Sequence, residues 1–222
     1  MNVVIFGATG MVGKGVLLEC LDDGRVERVL LVSRRPIDVS HPKLREVVHQ
    51  DFFDFAGIQS QFVDFDACFF CLGVSSVGMS ESEYHHLTYD LTLAAATALA
   101  SASAGRLTFS YVSGEGTDST ERGRTMWARV KGKTENALLR LPFKAAYMFR
   151  PGYIQPLRGI RSKTRWIQAL YDVFGPVYPL LRRLFPKYVT TTVNIGRAMI
   201  HVAAVGCSKQ ILSSADINQL SG

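Results

Sequence analysis

The chain has 222 residues, 47% of them hydrophobic and 20% charged, with a formal net charge of +6. That length carries one large domain with a real core, or one domain with a small cap, and the balanced composition excludes a low-complexity or disordered chain. No apolar run is long and unbroken enough to span a bilayer. No basic segment leading into an apolar one opens the chain, so a cytoplasmic protein is the expectation.

Val3-Val4-Ile5-Phe6 is a short, β-branched run ending at a glycine, the pattern of a buried parallel strand. Val12 to Leu21 carries apolar residues at helical spacing and stops near Asp22-Asp23-Gly24. Strands follow at Val29–Val32, Leu44–Val48 and Ala67–Leu72, then a long helix from about Glu81 to Ser103. Leu107–Val112 reads as a fifth strand, Trp127–Leu141 as a helix and Ala145–Phe149 as a sixth strand. Strands alternating with helices predict parallel βαβ units, hence an α/β fold with a doubly wound parallel sheet of the Rossmann kind.

After Pro151 the rhythm changes. Residues 157 to 187 are basic, aromatic and broken by Pro176, Pro179 and Pro186, before a helix at about Asn194–Ala204 and a strand-like Gln210–Leu212. The division expected is a dinucleotide-binding domain over 1–156 and a small C-terminal helical cap region over 157–222, packed on the same domain. Between Arg140 and Tyr188 there are ten Lys or Arg against one acid, Asp172. With the aromatics of 166–188, that charge suits an anionic membrane surface, a cap over a site, or a homodimer contact. Cap or interface is the expectation, and nucleic acid is not, since no binding motif accompanies the charge.

The loop Gly7-Ala8-Thr9-Gly10-Met11-Val12-Gly13 follows the first strand and opens the first helix. Gly7 permits the tight turn, Gly10 lets backbone approach a phosphate, and Gly13 lets helix and sheet pack closely. The helix N-terminus then offers N–H groups and the positive end of its dipole to a pyrophosphate. At the end of the second strand, where an acidic residue would bind a ribose 2′-hydroxyl, the chain has Ser33-Arg34-Arg35. Guanidinium groups bind a 2′-phosphate by charge-assisted, bidentate bonds, which selects NADP(H) over NAD(H). By position, Asp51 and Phe52 flank the adenine and Leu72-Gly73 the ribose.

Two other groupings invite a metal and do not make one. Cys68 and Cys71 lie three apart in an apolar strand, so they point to opposite faces and cannot chelate one ion. His85 and His86 are adjacent on a helix and do not converge, and no carboxylate at a useful offset completes a set. Glu115, Asp118 and Glu121 read as a solvated loop.

Together these pieces resemble the atypical short-chain dehydrogenase/reductase group, nearest its NmrA-like and Tat-interacting-protein-like branch. The resemblance covers most of the chain and is carried by the first glycine loop, Cys71-Leu72-Gly73, Val112-Ser113-Gly114, Val130-Lys131-Gly132-Lys133-Thr134-Glu135 and Phe149-Arg150-Pro151-Gly152. It implies a Rossmann sheet, NAD(P) binding and a substrate-side C-terminal region. Active members use Ser, Tyr and Lys; the serine matches Ser113 and the lysine Lys131, which also bonds the nicotinamide ribose. Pro151, Gly152 and Tyr153 join the implied cofactor contacts. The tyrosine position holds Trp127. A phenol near pKa ~10 is lowered by a neighbouring ammonium until it exchanges a proton, whereas an indole N–H only donates a hydrogen bond. Loss of a general acid costs about 10²–10⁴-fold in rate. Tyr153 or Tyr84 could stand in from another element.

The function implied is an NADP(H)-binding oxidoreductase or isomerase/epimerase of a small carbonyl compound. The alternative is a non-catalytic NADP(H)-dependent redox sensor acting through a protein partner.

Overall fold

The computed structural model describes residues 1–160, 185 and 187–222. Its frame is a seven-stranded, wholly parallel sheet. The strands are β1 (Asn2–Phe6), β2 (Arg28–Ser33), β3 (Leu44–Val48), β4 (Ala67–Phe70), β5 (Thr108–Val112), β6 (Ala145–Arg150) and β9 (Ile211–Ser213). Their spatial order is β3-β2-β1-β4-β5-β6-β9. Order reverses between β1 and β4, the switch point at which ligands bind in open α/β sheets. A separate parallel pair joins β7 (Tyr153–Gln155) to β8 (Val189–Thr191).

The helices, numbered over the described residues, are α1 (Met11–Asp22), α2 (Glu81–His85), α3 (Leu91–Ser103), α4 (Met126–Leu138), α5 (Thr192–Ala204) and α6 (Ser214–Leu220). Strand side chains alternate between faces, and each central strand accordingly feeds two cores. Val3, Ile5, Val29, Leu31 and Phe69 pack under α1 and α5. Val4, Phe6, Leu30, Val32 and Phe70 pack under α3, whose Ala95, Ala96 and Leu99 face the sheet. The same alternation sends Cys68 into one core and Cys71 to the edge of the other, and all four cysteines are free thiols.

The long helix expected over 81–103 is interrupted. His86–Asp90 forms a π turn between α2 and α3. The wider turn sets one carboxylate against both imidazoles: His85 Nδ1 lies 3.4 Å from Asp90 Oδ1 and His86 Nδ1 3.0 Å from Asp90 Oδ2. The sequence analysis found no carboxylate at a useful offset; Asp90 is one, four residues after His86, a spacing at which helix side chains meet. No metal-holding cluster is present among the described residues.

The described C-terminal residues return to the same sheet, since β9 pairs with β6 and α5 lies on α1. The buried Glu19 of α1 accepts from Arg158 Nη1 at 3.0 Å and from Arg197 Nε of α5 at 3.1 Å. The basic, aromatic stretch expected to form a cap, a membrane contact or a dimer contact falls mainly on 161–184 and 186, outside the described residues.

The α1–α5 contact is backbone-close. A Cβ at Gly15 would sit 2.5 Å from Thr192 Cβ, whereas one at Gly24 would meet nothing within 4 Å. Alanine at an ordinary helix position gains about 1 kcal/mol over glycine, but overpacking costs about 1–3 kcal/mol. Gly15→Ala should therefore lower the thermal unfolding midpoint and Gly24→Ala should leave it nearly unchanged; a stabilised Gly15→Ala would show that the helices separate freely.

Candidate functional site

At the C-terminal ends of β1, β2 and β4 the chain opens into a cleft of about 570 Å³. Its walls include Gly7, Thr9, Gly10, Arg34, Asp51, Phe52, Leu72 and Gly73. A contiguous lobe of about 560 Å³ shares several of these residues and adds Ser33 and Arg35. Most residues read as cofactor contacts thus lie around one space. The turn that shapes it has no room for side chains. Gly7 has φ +86°, and a Cβ there would lie 2.7 Å from the Cys71 carbonyl carbon. A Cβ at Gly13 would lie 2.2 Å from the Gly7 carbonyl oxygen. No side chain caps the N-terminus of α1 at Gly10, so Met11 and Val12 begin the helix at the cleft with amides that no side chain claims. This concave, glycine-walled cradle fits a pyrophosphate.

The arginine loop is held by its backbone. His49 N–H donates to Ser33 O at 2.9 Å, and Gln50 Nε2 donates to Arg34 O at 2.8 Å. Ser33 Oγ lies 2.7 Å from Arg35 O and 2.8 Å from Glu46 Oε1, and Ile37 N–H donates to Glu46 Oε1 at 3.1 Å. The Ser33 hydroxyl, read as a cofactor contact, is thus committed to its own loop. Arg34 and Arg35 are both exposed, and neither guanidinium has an ion-pair partner among the described residues.

Ser113 and Lys131 meet on the far side of β4. Lys131 Nζ donates to the Ser113 carbonyl and lies 5.8 Å from the Tyr111 ring centroid. Burial pushes its ammonium down to about 8, against the opposing pull of the Glu135 carboxylate one helical turn on. Ser113 Oγ donates to Phe149 O at 3.1 Å. Glu135 is fully buried and forms an ion pair with Arg150, whose Nη2 also donates to Ser119 Oγ. That pair joins α4 to the end of β6. It went unseen in the sequence, although Glu135 falls four residues after Lys131 and hence on the same helix face.

Trp127 occupies the second position of α4, half-buried, with a Gly116 Cβ position 3.4 Å from its Cη2. Of the two substitute phenols, Tyr84 is 2% exposed in the core, and burial raises its pKa. Tyr153 donates to Gln155 Oε1 at 2.8 Å. Pro151 O accepts from Glu115 N–H at 2.9 Å, and Gly152 N–H donates to Ser214 Oγ at 2.9 Å. Asp118, read as a solvated loop residue, organises its loop by accepting from Thr120 and Gly123. The cleft also takes in Phe53, Leu87 and Leu91, which the sequence did not single out. Phe53 stacks on His86 at 4.2 Å.

No family model matches the chain. Relatives are nonetheless similar over nearly its whole length. Protein FMP52, mitochondrial, of Debaryomyces hansenii is 27% identical over 92% of this chain and 88% of its own. Protein fmp52, mitochondrial, of Emericella nidulans is 29% identical over 97% and 92%. Protein HTATIP2 of Rattus norvegicus is 29% identical over 90% and 80%. Among solved structures, a short chain dehydrogenase family protein from Francisella tularensis superposes with a TM-score of 0.66 at 14% identity, covering 92% of this chain and 91% of that one. The mitochondrial names of the fungal relatives overturn the cytoplasmic expectation, which rested only on the lack of a recognisable leading segment or span. The chain is thus similar over nearly its whole length to the FMP52 and HTATIP2 proteins, and it shares its parallel Rossmann-like sheet with the short chain dehydrogenase family protein.

Proposed function

We propose that the cleft binds NADP(H) and that the chain serves a hydride-transfer or epimerisation reaction of a small carbonyl compound without a phenolic acid. The observation that supports this reading is the Arg34–Arg35 pair, whose guanidiniums form no ion pair among the described residues and border a glycine cradle at the switch point. Two adjacent guanidiniums repel each other, and a dianionic 2′-phosphate relieves that repulsion while forming bidentate bonds. Thr9, Gly10, Met11 and Val12 then border the pyrophosphate, Asp51 and Phe52 the adenine, and Leu72-Gly73 the ribose. Lys131 holds the nicotinamide ribose hydroxyls, next to Pro151, Gly152 and Tyr153.

The bound nicotinamide supplies hydride chemistry; the chain supplies orientation and a proton. To hold a substrate oxygen, Ser113 must turn its hydroxyl proton away from Phe149 O. Lys131, with its ammonium near 8, is the titratable group beside Ser113 whose proton is exchangeable close to neutral pH. A second reading, a non-catalytic NADP(H)-dependent regulator acting through a protein partner, is favoured by the indole at position 127 and by the burial of Tyr84.

Nucleotide titrations followed by quenching of tryptophan fluorescence should show NADPH binding more tightly than NADH. Arg34→Ala with Arg35→Ala should erase the difference, and tighter NADH binding by wild type would remove the NADP(H) reading. Trp127→Tyr should raise NADPH oxidation on generic carbonyls by about 10²-fold or more if Ser113 and Lys131 are in register. No NADPH oxidation by either form would favour the regulator.

Lys131 also makes a stability prediction. The folded state releases the ammonium proton near pH 8 and the unfolded chain near 10.5. Below pH 8 both states are charged and folding bears the full desolvation penalty; the penalty fades as pH rises from 8 to 10.5. Lys131→Met should therefore melt higher than wild type at pH 7, with the gap closing by pH 10. A lower midpoint at pH 7 would mean that the bond to Ser113 outweighs desolvation.

A further inference from the structure

Glu46 is an unexpected neighbour for a pair of arginines that must receive an anion. It lies at the middle of β3, its carboxylate reaching the loop that follows β2. We infer that Glu46 is the positioning residue that sets nucleotide specificity, by fixing the loop that carries Arg34 and Arg35. This rests on the NADP(H) reading above.

The geometry supports positioning over direct contact. Glu46 Oε1 lies 2.8 Å from Ser33 Oγ and 3.1 Å from Ile37 N, and Oε2 lies 3.3 Å from Ile37 N. One carboxylate thus grips both ends of the five-residue segment Ser33–Ile37, while Gln50 and His49 hold Arg34 O and Ser33 O in between. Each arginine has its backbone fixed and its side chain free of partners among the described residues. A side chain whose backbone is already ordered has less entropy to lose when it closes on a ligand.

Charge and position make opposite predictions here. Removing a carboxylate near the arginines raises the local positive potential, so electrostatics alone predicts tighter binding of a 2′-phosphate. Removing the carboxylate takes away the acceptor of Ile37 N–H and one of the two acceptors, with Arg35 O, that share the Ser33 hydroxyl proton; this loosens the loop and predicts weaker binding, by about tenfold.

The test compares the affinities of NADPH and NADH for wild type, Glu46→Ala, Glu46→Gln and Ser33→Ala, each checked by thermal melting. Glu46→Ala should weaken NADPH about tenfold and leave NADH nearly unchanged. Glu46→Gln should keep most of the NADPH affinity, because its amide oxygen still accepts from Ile37 N–H. Ser33→Ala alters no charge, hardly disturbs packing, and should shift selectivity in the same direction as Glu46→Ala, so it decides the matter if that variant does not fold. The inference is overturned if Glu46→Ala binds NADPH as well as or better than wild type, if it weakens both nucleotides equally, or if Ser33→Ala leaves selectivity untouched. A wild type that shows no preference for NADPH would instead remove the NADP(H) reading itself, and Glu46's role with it.

Discussion

Gly7 and Gly13 let β1, α1 and β4 meet through backbone alone. The Cα of Gly13 rests against the Gly7 carbonyl, and Gly7 rests against Cys71 and Leu72. A methyl group at either place would collide with main chain, which cannot rotate out of the way as a side chain can. The parallel sheet, buried on both faces, and the cleft at its C-terminal edge both follow from that fit. With α1 pressed this close, its uncapped N-terminus opens onto the cleft. The arginine loop beyond β2 faces the same space from the other side.

Charge is used in two different ways on the two sides of the switch point. Arg34 and Arg35 stand in solvent with no ion pair among the described residues, where hydration stabilises their charge until an anion arrives. Glu135 is withdrawn from water and paired with Arg150, which is itself only partly buried. A buried pair of this kind adds little net stability over an apolar pair of the same shape, but removing one partner strands the other at about 3–5 kcal/mol. Its consequence is therefore registration: α4 is held to the end of β6, and Lys131, one turn earlier on α4, is held against Ser113 just after β5.

The central parallel strands were readable from the sequence because strands buried on both faces leave unbroken apolar runs, whereas the edge strand β3 carries Arg45 and Glu46 between its apolar ends. The third strand matched at both ends, Leu44 and Val48, and most others within a residue or two. Elements too short to show a period escaped. β7 and β8 have three residues each, and α6 has seven, announced only by the capping box of Ser213 with Asp216. The glycine loop and the arginines were visible because their chemistry is local in the chain. Glu46 and Glu135 were not, since each matters through a partner that only folding brings near: a loop 9 to 13 residues away for Glu46, and an arginine 15 residues away for Glu135.

The π turn at His86–Asp90 has a bearing on the phase of the whole segment. Buried positions along it fall at Tyr84, Thr88 and Thr92, a spacing of four that a regular helix of 3.6 residues per turn would let drift around its axis. The extra residue absorbs the drift, so Tyr84 and the alanine face of α3 look inward together. One residue corresponds to about 100° of helical rotation. Tightening the turn to regular α geometry would swing one half of the segment out of the core relative to the other. The histidine–aspartate triangle is thus the outward mark of a helix that changes frame once, between a tyrosine in the core and leucines that line the cleft.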